Sequence, residues 1–153
     1  MNLFDAIFTD KSFAATAVLY EQRQITYGDL REQTMRIAAV LSSLNRTASD
    51  RVAILLHDSP EFITSFTAIC SSGAIAVPIN MALRLDEQRA ILNDCSARVA
   101  IVESDLCSSL LTDAPERLRY LEDVVAVRHT KHDFTAETQR AQRRTDYGKD
   151  RGL

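Results

Sequence analysis

Four short apolar runs constrain the fold of this chain more than any other feature of its sequence. They cover residues 52–56, 74–77, 99–102 and 124–127, and each is apolar at consecutive positions rather than at alternate ones. Such continuous runs are typical of strands that are covered on both faces. Because a helical pattern separates each run from the next, the order β-α-β-α-β-α-β predicts parallel strands joined by right-handed crossovers, in a three-layer α/β fold.

A short β-hairpin and a long helix are predicted before the first of these runs. Residues 17–20 and 24–27 are rich in strand-forming side chains and flank a polar segment, which favours a hairpin. Thr26 stands three residues before Asp29, the spacing of a capping box at a helix start. The amphipathic pattern that follows predicts a helix with one buried face, formed by Leu30, Thr34, Ile37, Leu41 and Leu44.

The stretch SSGAIAVPIN, residues 71–80, is explained by local backbone requirements. Asp58 or Ser59 can cap a helix that has Pro60 in its first turn, and Gly73 falls where that helix needs a left-handed C-terminal residue. Pro78 removes a backbone donor and so ends the hydrogen-bond ladder of the strand at 74–77. The glycine and the proline of this stretch therefore predict the ends of a helix and a strand rather than a chemical site.

The composition changes near residue 127. Residues 1–127 hold 11 Lys and Arg against 17 Asp and Glu, whereas residues 128–153 hold 7 against 4 and only three large apolar side chains. So few apolar residues cannot bury a face. We therefore expect a folded N-terminal subdomain over residues 1–127 and a basic, mobile tail over residues 128–153, with a polar helix around residues 135–144.

The sequence contains few of the motifs that carry chemistry. The chain has four glycines, and no Gly-rich phosphate loop can be written from their positions. His57 is the most interesting histidine because it follows a buried strand at its carboxyl end, where open α/β sheets bind ligands. No serine or cysteine nucleophile motif accompanies it, so a polar loop or cap role is the preferred interpretation.

Three further groups of polar residues also have simpler structural interpretations. His129 and His132 have the spacing of a metal pair but no further ligand, and the acidic residues Asp86, Glu87 and Asp94 fit helix ends. A basic run in the tail is interleaved with acidic residues and fits a solvated segment. We therefore expect no catalytic, cofactor-binding or metal-binding residue in this chain, including the arginines of that run, Arg140, Arg143 and Arg144.

The sequence also favours a particular cellular compartment and disfavours some classes of partner. Cys70, Cys95 and Cys107 are odd in number and lack paired spacing, which favours reduced, half-buried thiols over a disulfide or a metal site. Residues 1–11 carry no basic stretch, and the longest nearly uncharged run, residues 62–83, is broken by polar residues. We expect a cytoplasmic protein without a membrane span. The acidic body disfavours nucleic-acid binding, which only the tail could support.

Three stretches in series resemble the N-terminal portion of the adenylate-forming (AMP-binding) superfamily, in particular acyl-CoA synthetases. They are ITYGDLREQTMRIAAVLSSL, DRVAILLHDSPEFITSFTAICSSGAIAVPIN and ILNDCSARVAIVESDL. Each stretch alone is a weak signal, but their order and spacing fit the family from about Asn2 to Val127. Within this resemblance the matched residues Tyr27, Pro60, Gly73 and Pro78 are scaffold, at the ends of helices and strands.

The resemblance implies a reaction and a set of cofactors. Members of the family use ATP and magnesium to convert a carboxylate to an acyl-adenylate, and usually pass the acyl group to the thiol of coenzyme A. Their phosphate loop, nucleotide site and catalytic lysine lie farther along a much longer chain. None of these has a match here, and the lysines of this sequence, Lys11, Lys131 and Lys149, stand outside the family motifs.

Two functional hypotheses follow from the resemblance. The first is a truncated acyl-CoA synthetase-like enzyme, inactive alone and binding no cofactor alone, whose last residues come from an unrelated reading frame. The alternative is a non-catalytic binding or complementing module. In that case a surface normally covered by the rest of the enzyme would mediate self-association or binding of a separately encoded partner.

Overall fold

The computed structural model describes residues 2–44, 47–112, 118–129 and 134–140. Its five helices are α1 (Leu3–Phe8), α2 (Tyr27–Ser43), α3 (Pro60–Ser71), α4 (Leu85–Asp94) and α5 (Ser104–Leu111). Its seven strands are β1 (Thr16–Tyr20), β2 (Arg23–Thr26), β3 (Arg51–Leu55), β4 (Ile75–Pro78), β5 (Val99–Glu103), β6 (Asp123–His129) and β7 (Phe134–Arg140).

The main sheet has the strand order β4-β3-β5-β6-β7. The pairs β3–β4, β3–β5 and β5–β6 are parallel, and only β7 pairs antiparallel, with β6. The register places Val52 opposite Ala76 on one side and opposite Val99 on the other. The antiparallel β1–β2 hairpin forms a separate two-stranded sheet. The prediction of a mostly parallel α/β fold preceded by a hairpin is confirmed.

Both faces of the sheet are buried, because alternate residues of each central strand point to opposite layers. One layer contains α2 and α3, and the other contains α4 and α5. The strand residues that face α2 and α3 are Val52, Ile54, Val99, Ile101, Val125 and Val127, and those that face α4 and α5 are Ala53, Leu55, Ala100, Val102, Val124 and Ala126. This double burial explains why β3, β5 and β6 read as continuous apolar runs. The prediction that the run at residues 74–77 is a buried strand is wrong, because β4 lies at the edge of the sheet with Ile75 and Pro78 exposed.

The predicted boundaries of α2 and α3 rest on the local contacts that were expected. The Thr26 hydroxyl accepts the Asp29 backbone N–H at 3.1 Å, and the Asp29 carboxylate accepts the Thr26 N–H at 2.9 Å. Ser59 caps α3, and Pro60 is its first residue. Gly73, just after α3, has a φ of +80°, which favours glycine.

The segment after Val127 differs from the prediction. β6 continues past Val127 to His129, and residues 134–140 form strand β7, so the polar helix expected around residues 135–144 is wrong over the described part. β6 would otherwise expose a row of backbone donors and acceptors at the sheet edge, and a strand satisfies them whereas a helix does not. The expected mobility of residues 130–133 and 141–153 falls on residues outside the described part. The division of the chain at Val127 stays a prediction.

Candidate functional site at the carboxyl edge of the sheet

His57 and Glu103 lie in contact at the carboxyl ends of two neighbouring strands. His57 follows β3, and Glu103 is the last residue of β5. The winding reverses between these strands, because the chain proceeds from β3 to β4 on one side and from β5 to β6 on the other. In open α/β sheets the crevice at such a reversal is where ligands bind.

The geometry of this pair orients the imidazole ring. Nδ1 of His57 lies 2.6 Å from Oε1 of Glu103, and the same oxygen accepts the backbone N–H of His57 at 2.9 Å. The Glu103 side chain is 17% exposed, whereas that of His57 is 66% exposed. Because a carboxylate only accepts, the proton of the neutral ring is placed on Nδ1, and Nε2 is left as an acceptor.

A cleft of about 560 Å³ begins beside His57. Its walls come from the ends of β3 and β4, the first turn of α3 and the loop after β4. Phe62 on its apolar wall stacks against Phe66, with ring centroids 6.3 Å apart. Six of the lining residues are apolar and three are polar: Leu56, Phe62, Pro78, Ile79, Met81 and Ala82, with His57, Asp58 and Asn80.

The charged and polar groups of the cleft are not suited to binding the phosphates of a nucleoside triphosphate. No lysine or arginine is among the described residues that line it, and Asp58 adds a negative charge. The backbone N–H of Phe62, in the first turn of α3, already donates to the Ser59 hydroxyl at 3.2 Å. This bond and the absence of an N–H on Pro60 reduce the number of first-turn donors that a phosphate could use.

The structure separates His57 from the other sequence candidates. Glu87 accepts the Arg84 backbone N–H at 2.8 Å, and Asp86 pairs with the Arg84 guanidinium at 3.0 Å, so both acids act at the start of α4 as expected. Asp94 is the last residue of α4. The side chains of His129 and Arg140, and the whole of His132, Arg143 and Arg144, lie outside the described residues.

The three cysteines are free thiols, as expected. Cys70 and Cys95 are partly buried and Cys107 is buried. Burial raises the pKa of all three thiols, which disfavours the reactive thiolate. Within the described ranges, no three His, Cys, Asp or Glu side chains come together as a metal site would require.

Two features of the site region were missed by the sequence analysis. The pairing of Glu103 with His57 joins positions 46 residues apart, and no local pattern signals it. Arg89, 7% exposed, donates to the carbonyl oxygens of Ser109, Leu110 and Thr112 at the end of α5. A signal for Arg89 did exist, since it lies three residues before the buried Leu92, on the inward face of α4.

Four matched family residues lie at the ends of helices and strands, and the second matched stretch also supplies seven of the nine residues that line the cleft. Tyr27 begins α2, Pro60 begins α3, Gly73 follows α3 and Pro78 ends β4. Arg98, in the third matched stretch, binds Glu122 through two nitrogens at 3.3 and 2.9 Å and lies 3.4 Å from Asp50. These contacts join the segments at the amino ends of β3, β5 and β6, which is a scaffold role.

No helix in the described ranges is both long enough and apolar enough to cross a lipid bilayer.

Comparisons with known proteins match this chain to AMP-binding enzymes and to CoA ligases. The sequence profile of the family described as AMP-binding enzyme matches residues 8–151. The chain is 29% identical over 111 residues to a 4-hydroxybenzoate–CoA/benzoate–CoA ligase of Rhodopseudomonas palustris, covering 72% of this chain and 20% of that protein. It is 26% identical over 140 residues to 4-hydroxybutyrate–CoA ligase 2 of Metallosphaera sedula, covering 92% of this chain and 24% of that protein.

Solved structures agree with the sequence matches. An anthranilate CoA ligase in complex with anthranoyl-AMP superposes with a TM-score of 0.73 at 31% identity, over 81% of this chain and 24% of that one. The N-terminal subdomain of Klebsiella oxytoca NpsA, in complex with anthranilyl-AMSN, gives 0.60 at 33% identity, over 71% and 27%.

The extent of the match corrects two expectations and shows the family. The family profile continues to residue 151. The expectation that the resemblance ends near Val127 is therefore wrong. The expectation that an unrelated reading frame supplies the residues after it is also wrong, as far as residue 151. The chain spans 20% and 24% of the length of the two curated relatives. With residues 8–151 matched, the chain belongs to the AMP-binding enzyme family, of which it represents the N-terminal portion.

Proposed function

We propose that these residues form the N-terminal scaffold of an acyl-CoA synthetase-like enzyme and do not adenylate a carboxylate by themselves. The reaction of the complete enzyme would be ATP-dependent adenylation of a carboxylate, followed by thioester formation with coenzyme A. The observation that carries the proposal is the superposition on an anthranilate CoA ligase, which covers 81% of this chain but 24% of the ligase.

The physical reason for inactivity is the lack of groups that stabilise phosphate charge. Electrostatic stabilisation of developing charge is usually the largest single contribution to catalysis. The sequence offers no Gly-rich phosphate loop, and its three lysines stand outside the family motifs. The cleft beside His57 carries Asp58 and no lining lysine or arginine, so it does not supply a substitute. We therefore assign no bound cofactor to this chain alone.

Pyrophosphate release tests this proposal. The purified chain is incubated with ATP, magnesium and a panel of carboxylates that includes benzoate, 4-hydroxybenzoate and anthranilate, with a complete benzoate–CoA ligase as the positive control. We expect release equal to that of a protein-free blank. Carboxylate-dependent release above the blank, proportional to the concentration of the chain, would contradict the proposal.

The alternative function is that of a non-catalytic module that associates with a second copy of itself or with a separately encoded partner. One structural observation favours it: β4 has a single strand partner, β3, among the described residues, and Ile75 on β4 is 45% exposed. An exposed apolar side chain on an open strand edge favours pairing with another chain. Pro78 limits this pairing at the end of β4, because it has no N–H to donate.

Light scattering coupled to size exclusion distinguishes the two functions. A module is expected to elute as a defined dimer, or as a complex with a separately expressed remainder of the enzyme. Substitution Ile75→Lys would dissociate that assembly, whereas Met35→Lys, at an exposed position on α2, would leave it intact. A monomer that forms no complex excludes the module. A cytoplasmic location belongs to both proposals, since free thiols suit a reducing compartment.

A further inference from the structure

We infer that the cleft beside His57 binds a small apolar ring that carries a neutral hydrogen-bond donor, with Nε2 of His57 as the acceptor. This inference does not rest on the proposed function, which assigns no ligand to the cleft. Three properties of the cleft carry it: its apolar wall, the orientation of the imidazole and the sign of the surrounding charge.

The size and the wall of the cleft suit a ring. Its volume of about 560 Å³ lies within the range of small-molecule sites, roughly 300–1,000 Å³. Phe62 stacks against Phe66 and supplies an aromatic side chain to the apolar lining. Pro78 and Ile79 form a second apolar side, and Met81 supplies an adaptable thioether. An apolar ring gains from contact with each of these side chains.

The contact with Glu103 determines the kind of ligand group that His57 can bind. Nδ1 of His57 lies 2.6 Å from Oε1 of Glu103 and donates a hydrogen bond to it. In the tautomer with its proton on Nδ1, Nε2 accepts and cannot donate. A ligand hydroxyl satisfies this nitrogen, whereas an ether of the same shape does not.

The remaining polar groups disfavour an anion. Asp58 lines the cleft, Glu103 lies directly behind the imidazole, and the Phe62 N–H is already bound to Ser59. The side-chain oxygen of Asn80 accepts the Ala82 N–H at 2.9 Å, so Asn80 has its NH₂ group left for a ligand oxygen. A hydroxyl can donate to Nε2 of His57 or accept from the NH₂ group of Asn80, whereas a carboxylate meets the negative charges of Asp58 and Glu103.

Three ring compounds of similar size test the inference on the full chain. Phenol, anisole and benzoate are titrated into the ¹⁵N-labelled protein at pH 7.5, and the backbone amide shifts of Phe62, Met81 and Ala82 are followed. We expect phenol to bind about fivefold more tightly than anisole, the value of one ordinary hydrogen bond. Benzoate should bind more weakly than either. Equal affinity for phenol and anisole, stronger binding of benzoate, or no saturable shifts at the cleft would each overturn the inference.

Two variants distinguish the ligand's hydrogen bond to His57 from nonspecific apolar binding. His57→Ala should abolish the preference for phenol over anisole and retain binding of both, because the apolar wall is unchanged. Asp58→Asn should narrow the gap between benzoate and phenol. Dispersed amide spectra identical to wild type outside the cleft confirm that both variants fold. A preference for phenol that persists in folded His57→Ala protein would contradict the assignment of Nε2.

Discussion

Arg89 on α4 holds the end of α5 through Leu110, whose carbonyl oxygen accepts from Nε at 3.3 Å and from a terminal nitrogen at 3.0 Å. The same terminal nitrogen also donates to the Ser109 and Thr112 carbonyl oxygens, at 2.7 and 2.5 Å. The last carbonyls of a helix have no partner within the helix and carry its negative dipole end, so a guanidinium is well suited to them. This contact ties together the two helices that cover one face of the sheet.

Replacing this arginine should be costly. Arg89→Met leaves the buried Leu110 carbonyl oxygen and two partly buried carbonyl oxygens without their donor, so we expect the free energy of unfolding to fall by about 2–4 kcal/mol. Arg36→Met is the matched control, because Arg36 pairs with Glu32 on the exposed face of α2 and such pairs contribute about 0.5 kcal/mol or less. Urea unfolding followed by circular dichroism measures both. Equal losses for the two variants would show that Arg89 does not hold α5.

Asp50 predicts a dependence of stability on acid. Its carboxylate accepts the Thr47 backbone N–H at 2.9 Å and lies 3.4 Å from Arg98, and the Thr47 hydrogen bond is the main reason that the pKa of Asp50 is lowered. A lowered folded-state pKa stabilises the protein above the unfolded-state value, about 4, and this stabilisation is lost as pH falls through the folded-state pKa.

The matching experiment compares wild type with Asp50→Asn. We expect the difference between their unfolding free energies to be constant from pH 7 to pH 5 and to shrink below about pH 4. Met35→Leu, at an exposed position on α2, is the non-titrating control, and its difference from wild type should not change with pH. A difference for Asp50→Asn that stays constant down to pH 2.5 would contradict the role of the carboxylate.

Gly73 is required for its backbone conformation rather than for lack of space. A Cβ at this position would lie 3.5 Å from the Cβ of Ala48, an ordinary contact, but the φ of +80° disfavours any L side chain. We expect Gly73→Ala to cost about 1–2 kcal/mol of stability, and Gly73→Asn to cost less because asparagine tolerates the left-handed region. Thermal unfolding of the two variants tests this order. An alanine that is tolerated better than asparagine would indicate that packing, not φ, selects the glycine.

The elements that the sequence predicted correctly are those with signals in neighbouring residues. Thr26 with Asp29, and Ser59 with Pro60, mark helix starts by local hydrogen bonding and fixed φ, so they can be recognised without knowing the fold. The buried strands were recognised because both of their faces are covered, which leaves no polar position within them.

The elements that were missed depend on distant partners or are short. α1 has six residues, and its capping box of Asn2 and Asp5 precedes too short an apolar pattern to be recognised. β7 gains its ladder from β6, so its helix-like composition was misleading. At the candidate site, His57 was found from its place after a strand, whereas Glu103 was not, because only the pairing of β3 with β5 brings the two together.

The central claim is that this chain supplies scaffold to an adenylate-forming enzyme whose chemistry lies in the rest of the fold. The most direct measurement is formation of anthranoyl-AMP by a chimera in which residues 2–140 replace the superposed portion of the anthranilate CoA ligase. Circular dichroism establishes that the chimera is folded, and the ligase lacking that portion is the negative control. We expect the folded chimera to form anthranoyl-AMP from ATP and anthranilate, and this chain alone to form none. A folded chimera without adenylate, or adenylate formed by this chain alone, would contradict it.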